Sequence, residues 1–437
     1  MSDRAAAGGE PAVATSGRSL LEAHHWRLLT LLGFASFFEG YDFNIVTVAL
    51  KPIRTTFHLS QGNAALWISI LYLGAVPAVV AARRADRHGR RTMLLFAIAG
   101  YTVATAVTAL APDLQAFVAA QFVARFFLVL GAAVAWTMVA EELPAGARGF
   151  GFGWLAMLSA LGTGWSAILN GTIIHPQHLS WRLLYVFALP VIVFVGMLWR
   201  SLEETGRYRD IAGDAAVARD WRAILRPPYR NRLALLCTMA LLGNLTTQAT
   251  VFVVDFMQTQ RHLSATAASL TLVASGALAI PVLVVAGSLS DRVGRKPVLS
   301  SFLALHIVGL FVFFEVARGQ LGLFVALALV YAGLFGAWPT ATGYGTELFP
   351  TTLRALGNSL GAGSKYVGQS LSFVMAGVLL TGTAGLGHVV MLLSIGPLLS
   401  GVMLLAWMPE TGGRELESIS PSIPGEVGMP LLAPELP

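Results

Sequence analysis

Twelve stretches of about twenty predominantly apolar residues follow one another along this chain, and they constrain its fold more than any motif does. Each is long enough to cross a hydrocarbon core of roughly 30 Å as a helix. The expected spans are 26–50, 64–82, 92–112, 114–140, 150–174, 182–200, 231–256, 265–289, 297–317, 320–346, 355–383 and 385–408. Composition agrees: only 12% of the 437 residues are charged, against about 25% in a soluble domain. So few charges cannot cover a water-facing surface, and lipid must be the main solvent. The expected fold is an all-α integral membrane protein of twelve transmembrane helices.

The ends and connections are polar. Residues 1–25 contain no apolar run before a cleavage site and are not expected to act as a signal peptide. With an even number of spans both termini share a side, and loops on that side hold 22 of the 29 basic residues. The opposite loops hold five: Lys51, Arg54, Arg182, Arg261 and Arg318. Basic residues stay cytoplasmic, so both termini and the 201–230 linker are expected inside, in a cell inner (plasma) membrane protein. The excess of base comes from this bias; no free basic stripe points to nucleic acid. The single cysteine, Cys237, excludes an internal disulfide and is expected to pack as a small hydrophobe.

The chain repeats itself. Gly287-Ser288-Leu289-Ser290-Asp291-Arg292-Val293-Gly294-Arg295-Lys296 has an earlier counterpart, Ala82-Arg83-Arg84-Ala85-Asp86-Arg87-His88-Gly89-Arg90-Arg91, and the two aspartates lie 205 residues apart. Glu141 and Arg148 recur as Glu347 and Arg354 at an offset of 206. Glu204-Thr205-Gly206-Arg207 recurs as Glu410-Thr411-Gly412-Gly413-Arg414 at the same offset. The organisation read from this is a disordered N-terminus (1–25), a six-span bundle (26–200), a linker (201–230), a second bundle (231–408) and a tail (409–437). The tail from 415 onward is rich in Pro and Glu and is expected to be disordered. Parallel halves of this kind occur in transporters, with the substrate site between them near the midplane.

Gly-x-x-x-Asp-Arg-x-Gly-Arg-Arg/Lys between spans two and three, repeated between spans eight and nine, resembles the loop signature of the major facilitator superfamily. The second copy is complete; the first has Ala82 in place of glycine. The resemblance implies the two-bundle major facilitator fold, secondary transport by alternating access, a small-molecule substrate, and no enzymatic activity, cofactor or metal; a functional monomer is the expectation. Glu39-Gly40-Tyr41-Asp42 in span one resembles a segment of aromatic-acid:proton symporters, with Glu39 in place of their first Asp, and Gly40-Tyr41-Asp42 resembles the proton-site segment of sugar:proton symporters. Span seven lacks the double glutamine with which the sugar family binds its substrate. Span five lacks the Gly-Pro pair of drug:proton antiporters. The first departure counts against a sugar, the second favours symport or uniport over efflux; the reading is uptake of an organic anion with protons, with sugar or polyol symport as the alternative, drug efflux after it and a non-transporting receptor a remote one.

The loop motifs are read as a cytoplasmic gate built from Asp86, Arg87, Gly89, Arg90, Glu141, Arg148, Gly287, Asp291, Arg292, Gly294, Arg295, Glu347 and Arg354. A single exposed ion pair is worth only ~0–1 kcal/mol, so a gate needs a network of them. The competing reading is that basic loops only fix topology.

Charges inside the spans are more telling, because each costs roughly 2.5–3.5 kcal/mol to insert. Glu39 and Asp42 are three apart and share a helical face. Asp42 lies roughly 12 Å in from Leu50, and Arg125 roughly 15 Å in from Gln115. Matched depth predicts an Asp42–Arg125 pair that a proton would open, and the family resemblance places a proton site in these two spans; a static ion pair is the competing reading. Glu39 has no evident partner and is a second proton carrier or a substrate contact. Lys365, roughly 15 Å into span eleven, is placed to meet a substrate carboxylate. If the four groups face one cavity, it is neutral with both acids ionised, and protonating one leaves an excess positive charge that a monoanion would cancel. Asn170 and Trp165, Asn244 and Gln248, Trp338, Thr342 and Tyr344, and Gln369 fill out the candidate cavity. His306 is expected to pack or bond between helices, and Asp255 and Glu315, near the outer ends, to be solvated.

The topology has a direct check. A cysteine introduced at Ala212 in a Cys237→Ser background should react with an impermeant maleimide only after the membrane is permeabilised.

Overall fold

A helix satisfies every backbone hydrogen bond within its own segment, so apolar spans of this length in lipid fold as helices. The computed structural model describes residues 21–82, 89–144, 147–191, 193, 196, 224–227, 229–382 and 385–411, and contains helices and short connections with no strand among them. In chain order these are α1 (Ala23–Thr56), α2 (Gln61–Ala82), α3 (Arg90–Leu110), α4 (Leu114–Glu142), α5 (Arg148–Leu169), the start of α6 (Arg182–Val186), α7 (Tyr229–Thr259), α8 (Ala265–Val293), α9 (Arg295–Val316), α10 (Gly319–Glu347), α11 (Thr351–Thr381) and α12 (Leu386–Trp407). Nine stretches among the described residues are long and apolar enough to cross a membrane. The remaining long helices, α1 and α11, carry the polar and charged residues singled out above. Most of the linker, Asp86 and Arg87 lie outside the described residues.

The helices form two bundles with matching internal contacts. In the first, α1 and α5 meet backbone to backbone: a methyl group at Gly40 would collide with the carbonyl of Ser159, and one at Gly162 with the carbonyl of Phe37. Thr163 Oγ1 donates to the Gly40 carbonyl at 3.2 Å, and Asn44 Nδ2 to the Thr163 carbonyl at 3.0 Å. In the second bundle α7 and α11 stand in the same relation, where a methyl at Gly368 would meet the Leu241 carbonyl. Small residues let helix axes approach where lipid supplies no hydrophobic drive for association.

Among the described residues the halves share a buried core at one end. A single apolar core, from Ile45, Leu50, Ile68 and Phe117 to Phe252, Phe256, Phe313 and Val390, runs through both bundles at the end opposite the loop motifs. Toward the motif end the core divides. One cluster, including Leu29, Leu94, Met138 and Leu155, belongs to the first half, and another, including Tyr344, Phe349 and Leu404, to the second. At the joined end Gly62 of α2 and Gly377 of α11 bring main chains together: a Cβ on Gly62 would sit 2.9 Å from the Thr381 nitrogen and 3.0 Å from the Gly377 oxygen. Ser370 Oγ donates to the Ser69 carbonyl at 2.9 Å, and Thr266 Oγ1 to the Gly171 carbonyl at 2.6 Å.

Helix α7 is interrupted. Tyr229–Gly243 and Thr247–Thr259 are separate helices, with Asn244, Leu245 and Thr246 between them. Non-helical backbone at membrane depth is tolerated only where protein or a cavity satisfies it. Here Asn244 Nδ2 donates to the Ala240 carbonyl at 2.8 Å and Ser372 Oγ to the Leu245 carbonyl at 2.8 Å.

Gly162→Ala should lower the melting temperature of the purified protein, because overpacking costs about 1–3 kcal/mol and here the obstacle is backbone. Gly153→Ala, on the same helix with nothing within 4 Å of the added methyl, should leave it unchanged.

Candidate functional site

The charged groups of the spans gather where the two halves begin to separate. The field of Arg125 reaches the carboxylates of both Asp42 and Glu39, and that of Lys365 reaches Glu39. This brings α1 near α4, the two spans whose depths were matched, and α1 near α11. Asp42 is 1% exposed and Arg125 3%, so neither charge is relieved by open solvent.

The expected Asp42–Arg125 ion pair is not formed. Asp42 Oδ1 and Arg125 Nη1 are both buried without a hydrogen-bond partner. Arg125 is instead held over two rings, with its guanidinium carbon 4.0 Å from the Phe43 centroid and 4.9 Å from that of Tyr72. A planar guanidinium stacks well on aromatic faces, which offers an alternative to a carboxylate. Thr105 lies beside Asp42, but its hydroxyl is out of hydrogen-bonding geometry. Sequence reasoning missed Phe43, Tyr72 and Thr105. Phe43 adjoins Asp42 in sequence, a signal that was available; Tyr72 and Thr105 come from other helices and had none.

Lys365 is half-buried, with Nζ 5.8 Å from the Trp338 ring centroid and 5.5 Å from that of Tyr366. Trp338 is 50% exposed, and Tyr366 packs against the first half's core cluster although it belongs to α11. Each half thus contributes one cation flanked by two rings. Gln369 Nε2 donates to Asn244 Oδ1 at 3.3 Å, tying α11 to the break in α7, and its Oε1 is buried without a partner. Thr342 and Trp165 are exposed.

Three expected substrate residues are placed elsewhere. Asn170 is buried and donates to the Val48 carbonyl at 3.2 Å and to Ser269 Oγ at 3.3 Å, so it fastens α1 and α8 to the end of α5. Tyr344 is 1% exposed and donates to the Pro409 carbonyl at 2.5 Å, at the motif end. Gln248 is fully buried, its Oε1 accepting from Ser372 while Nε2 finds no partner. These amides and hydroxyl serve helix packing because their nearest polar neighbours are on adjacent helices. His306 does bond between helices, to Thr246 Oγ1 at 3.2 Å and the Val330 carbonyl at 3.1 Å. Asp255, expected to be solvated, is 0% exposed.

The loop motifs make pseudo-symmetric bonds. Arg90 Nη2 donates to Glu141 Oε1 at 2.8 Å, and Arg295 Nη2 to Glu347 Oε1 at 3.0 Å. Both pairs tie adjacent helices within one half. Gly89 and Gly294 cap α3 and α9 with φ of 88° and 113°, a region costly for residues with a Cβ. Glu410 Oε1 accepts from the Arg295 amide at 2.7 Å and Oε2 from the Lys296 amide at 3.1 Å, so a carboxylate from beyond α12 caps α9. The tail is therefore fastened at its first residues. Arg292 is exposed, and Gly287 has nothing within 4 Å of an added methyl, so neither is held there by close packing. Asp86 and Arg87, and the side chains of Arg148, Asp291 and Arg354, lie outside what the structure describes.

The profile of the Major Facilitator Superfamily matches residues 32–254 and 234–422. The chain belongs to this superfamily. It is a multi-pass membrane protein and a secondary transporter by family. A niacin transporter of Acinetobacter baylyi is 23% identical over 428 residues, covering 90% of this chain and 96% of that one. An arabinose-proton symporter of Bacillus subtilis is 22% identical over 430 residues, covering 89% and 92%. Among solved structures, that of a D-xylose-proton symporter superimposes with a TM-score of 0.76 at 16% identity, covering 90% of this chain and 100% of that one. The likeness carries the fold: two six-helix bundles about a central split.

Glu410→Ala removes a charged cap from α9 and should destabilise the protein by about 1 kcal/mol, read as a lower unfolding temperature. Glu410→Gln should recover part of that loss.

Proposed function

We propose that this transporter takes up a small organic anion, such as an aromatic or other carboxylic acid, together with protons. The observation that supports it best is that Arg125 acts on both Asp42 and Glu39, while Lys365 acts on Glu39, across α1, α4 and α11. Two acids and two bases sum to zero. Protonating one acid leaves one positive charge in excess, in surroundings where an isolated charge is expensive. A monoanion cancels it, so proton and substrate bind together and cross as a neutral pair.

Asp42 serves as the proton site in this reading. Its unpartnered Oδ1 and the unpartnered Arg125 Nη1 leave the carboxylate free to take a proton without first breaking an ion pair. Lys365 receives the substrate's carboxylate, and Trp338 and Tyr366 flank it with ring faces. Glu39 lies between the two cations and couples the sites. A proton-driven carrier needs only that protonation and substrate favour one arrangement of the halves over the other. The basic-residue bias places the motif end in the cytoplasm of an inner-membrane protein, so the joined end faces outward and the split inward.

Sugar or polyol symport is the second reading, and sequence relatives favour it: an arabinose-proton symporter of Bacillus subtilis and a probable polyol transporter of Arabidopsis thaliana. Against it, Gln248 in α7 is engaged by Ser372, and a neutral sugar leaves the cavity's excess charge unpaired.

Lys365→Gln should weaken binding of a carboxylate substrate at least tenfold, about the discrimination expected when a charged hydrogen-bond partner is lost, with the melting temperature preserved. Binding is read by thermal shift against a panel of aromatic acids, aliphatic acids and sugars; stabilisation by sugars alone overturns the anion reading. Asp42→Asn should abolish accumulation driven by a proton gradient while retaining downhill exchange in proteoliposomes. Accumulation that persists and still collapses with an uncoupler moves the proton site to another residue, Glu39 first.

A further inference from the structure

Among the described residues, the end at which the halves join carries one ionic contact between them. Asp255, near the end of α7, is 0% exposed, and all the partners its carboxylate has come from the other half. Arg54 Nη1, at the end of α1, donates to both carboxylate oxygens at 2.7 Å, and Gln61 Nε2, opening α2, donates to Oδ2 at 2.7 Å. The Arg54 side chain is 17% exposed, so the pair is nearly closed off from water. The surroundings are apolar, with Ile53, Leu50 and Leu59 beside Arg54.

We propose that Arg54, Gln61 and Asp255 form a latch that holds this end of the transporter shut and must open once in every transport cycle. The physical argument is one of alternatives. The apolar core at this end and the close approach of Gly62 to Gly377 join the halves whatever their charge state, so they cannot by themselves provide a contact that releases cleanly. An ion pair can, because its members are well solvated once water enters. Closed, the pair is worth a good deal only while both charges are in place, since removing either leaves the other buried and unmatched. Opened, Arg54 and Asp255 return to solvent at little cost. The Arg90–Glu141 and Arg295–Glu347 pairs do not have this geometry, because each ties helices of the same half.

The latch sits apart from the residues assigned to substrate and proton. Glu39 is fifteen positions before Arg54 on α1, roughly 22 Å along the helix. Its test therefore needs neither substrate nor proton gradient. Spin labels at Asn63→Cys and Gln260→Cys, two exposed positions flanking the seal on opposite halves, would report the separation of this end in the full-length Cys237→Ser chain in lipid nanodiscs.

Asp255→Asn and Arg54→Gln should each raise the ratio of long to short distances by about tenfold. Exchanging the two charges, Arg54→Asp with Asp255→Arg, should bring it back toward that of the parent. Gln61→Leu, which keeps the ion pair, should shift it in the same direction by less and serves as the readout if either charge variant fails to fold. Unchanged distance distributions in every single variant that folds would overturn the proposal. So would a charge exchange that folds yet fails to restore the short distance.

Discussion

The apolar core that crosses between the halves at one end is the contact on which the rest of this structure depends. It holds Ile45 and Leu50 of α1 and Ile68 of α2 against Phe252 and Phe256 of α7, with Phe373 of α11 among them. Beyond it each half packs on a core of its own, with Tyr366 of α11 reaching across to the first half's cluster. The charges of α1, α4 and α11 sit where the shared core gives way to separate ones.

Glycine decides how the parts within each half meet. Gly40 and Gly162 let α1 touch α5 backbone to backbone, and Gly368 does the same for α11 against α7. Each half is thereby a stiff unit whose central helix is pinned against a neighbour. For a carrier whose halves rock against each other, such contacts favour motion of each half as a unit. The exception is the break in α7 at Asn244–Thr246, held by Gln369 and Ser372 from α11. It gives the second half a joint at the depth of Lys365.

Polar side chains in these helices fall into two kinds. Asn44, Asn170, Ser370 and His306 have partners and lock helices in place. Asp42, Arg125, Gln248 and Gln369 are left with buried polar atoms unpartnered. A buried polar atom without a partner costs about 1–3 kcal/mol, and a structure retains that cost where the atom has another use.

Much of this was legible in the sequence. Hydropathy over about twenty residues depends only on local composition, so the apolar spans could be read directly; the repeat gave Glu141 and Glu347 as counterparts, but not that Arg90 and Arg295 are their partners. Counting along helices put Asp42 and Arg125 at matching depth, and in the structure Arg125 lies near enough for its charge to act on Asp42. What counting along a helix cannot supply is the helix's rotation about its own axis and which neighbour it faces. Those are set by packing between residues 100 to 300 positions apart, such as Ser370 on Ser69 or Asp255 on Arg54. For that reason Arg125 turned out to lie on Phe43 and Tyr72 instead of against Asp42. For the same reason Asn170 and Tyr344 became fasteners, and Asp255, near a helix end where solvent was expected, was buried by a helix from the other half.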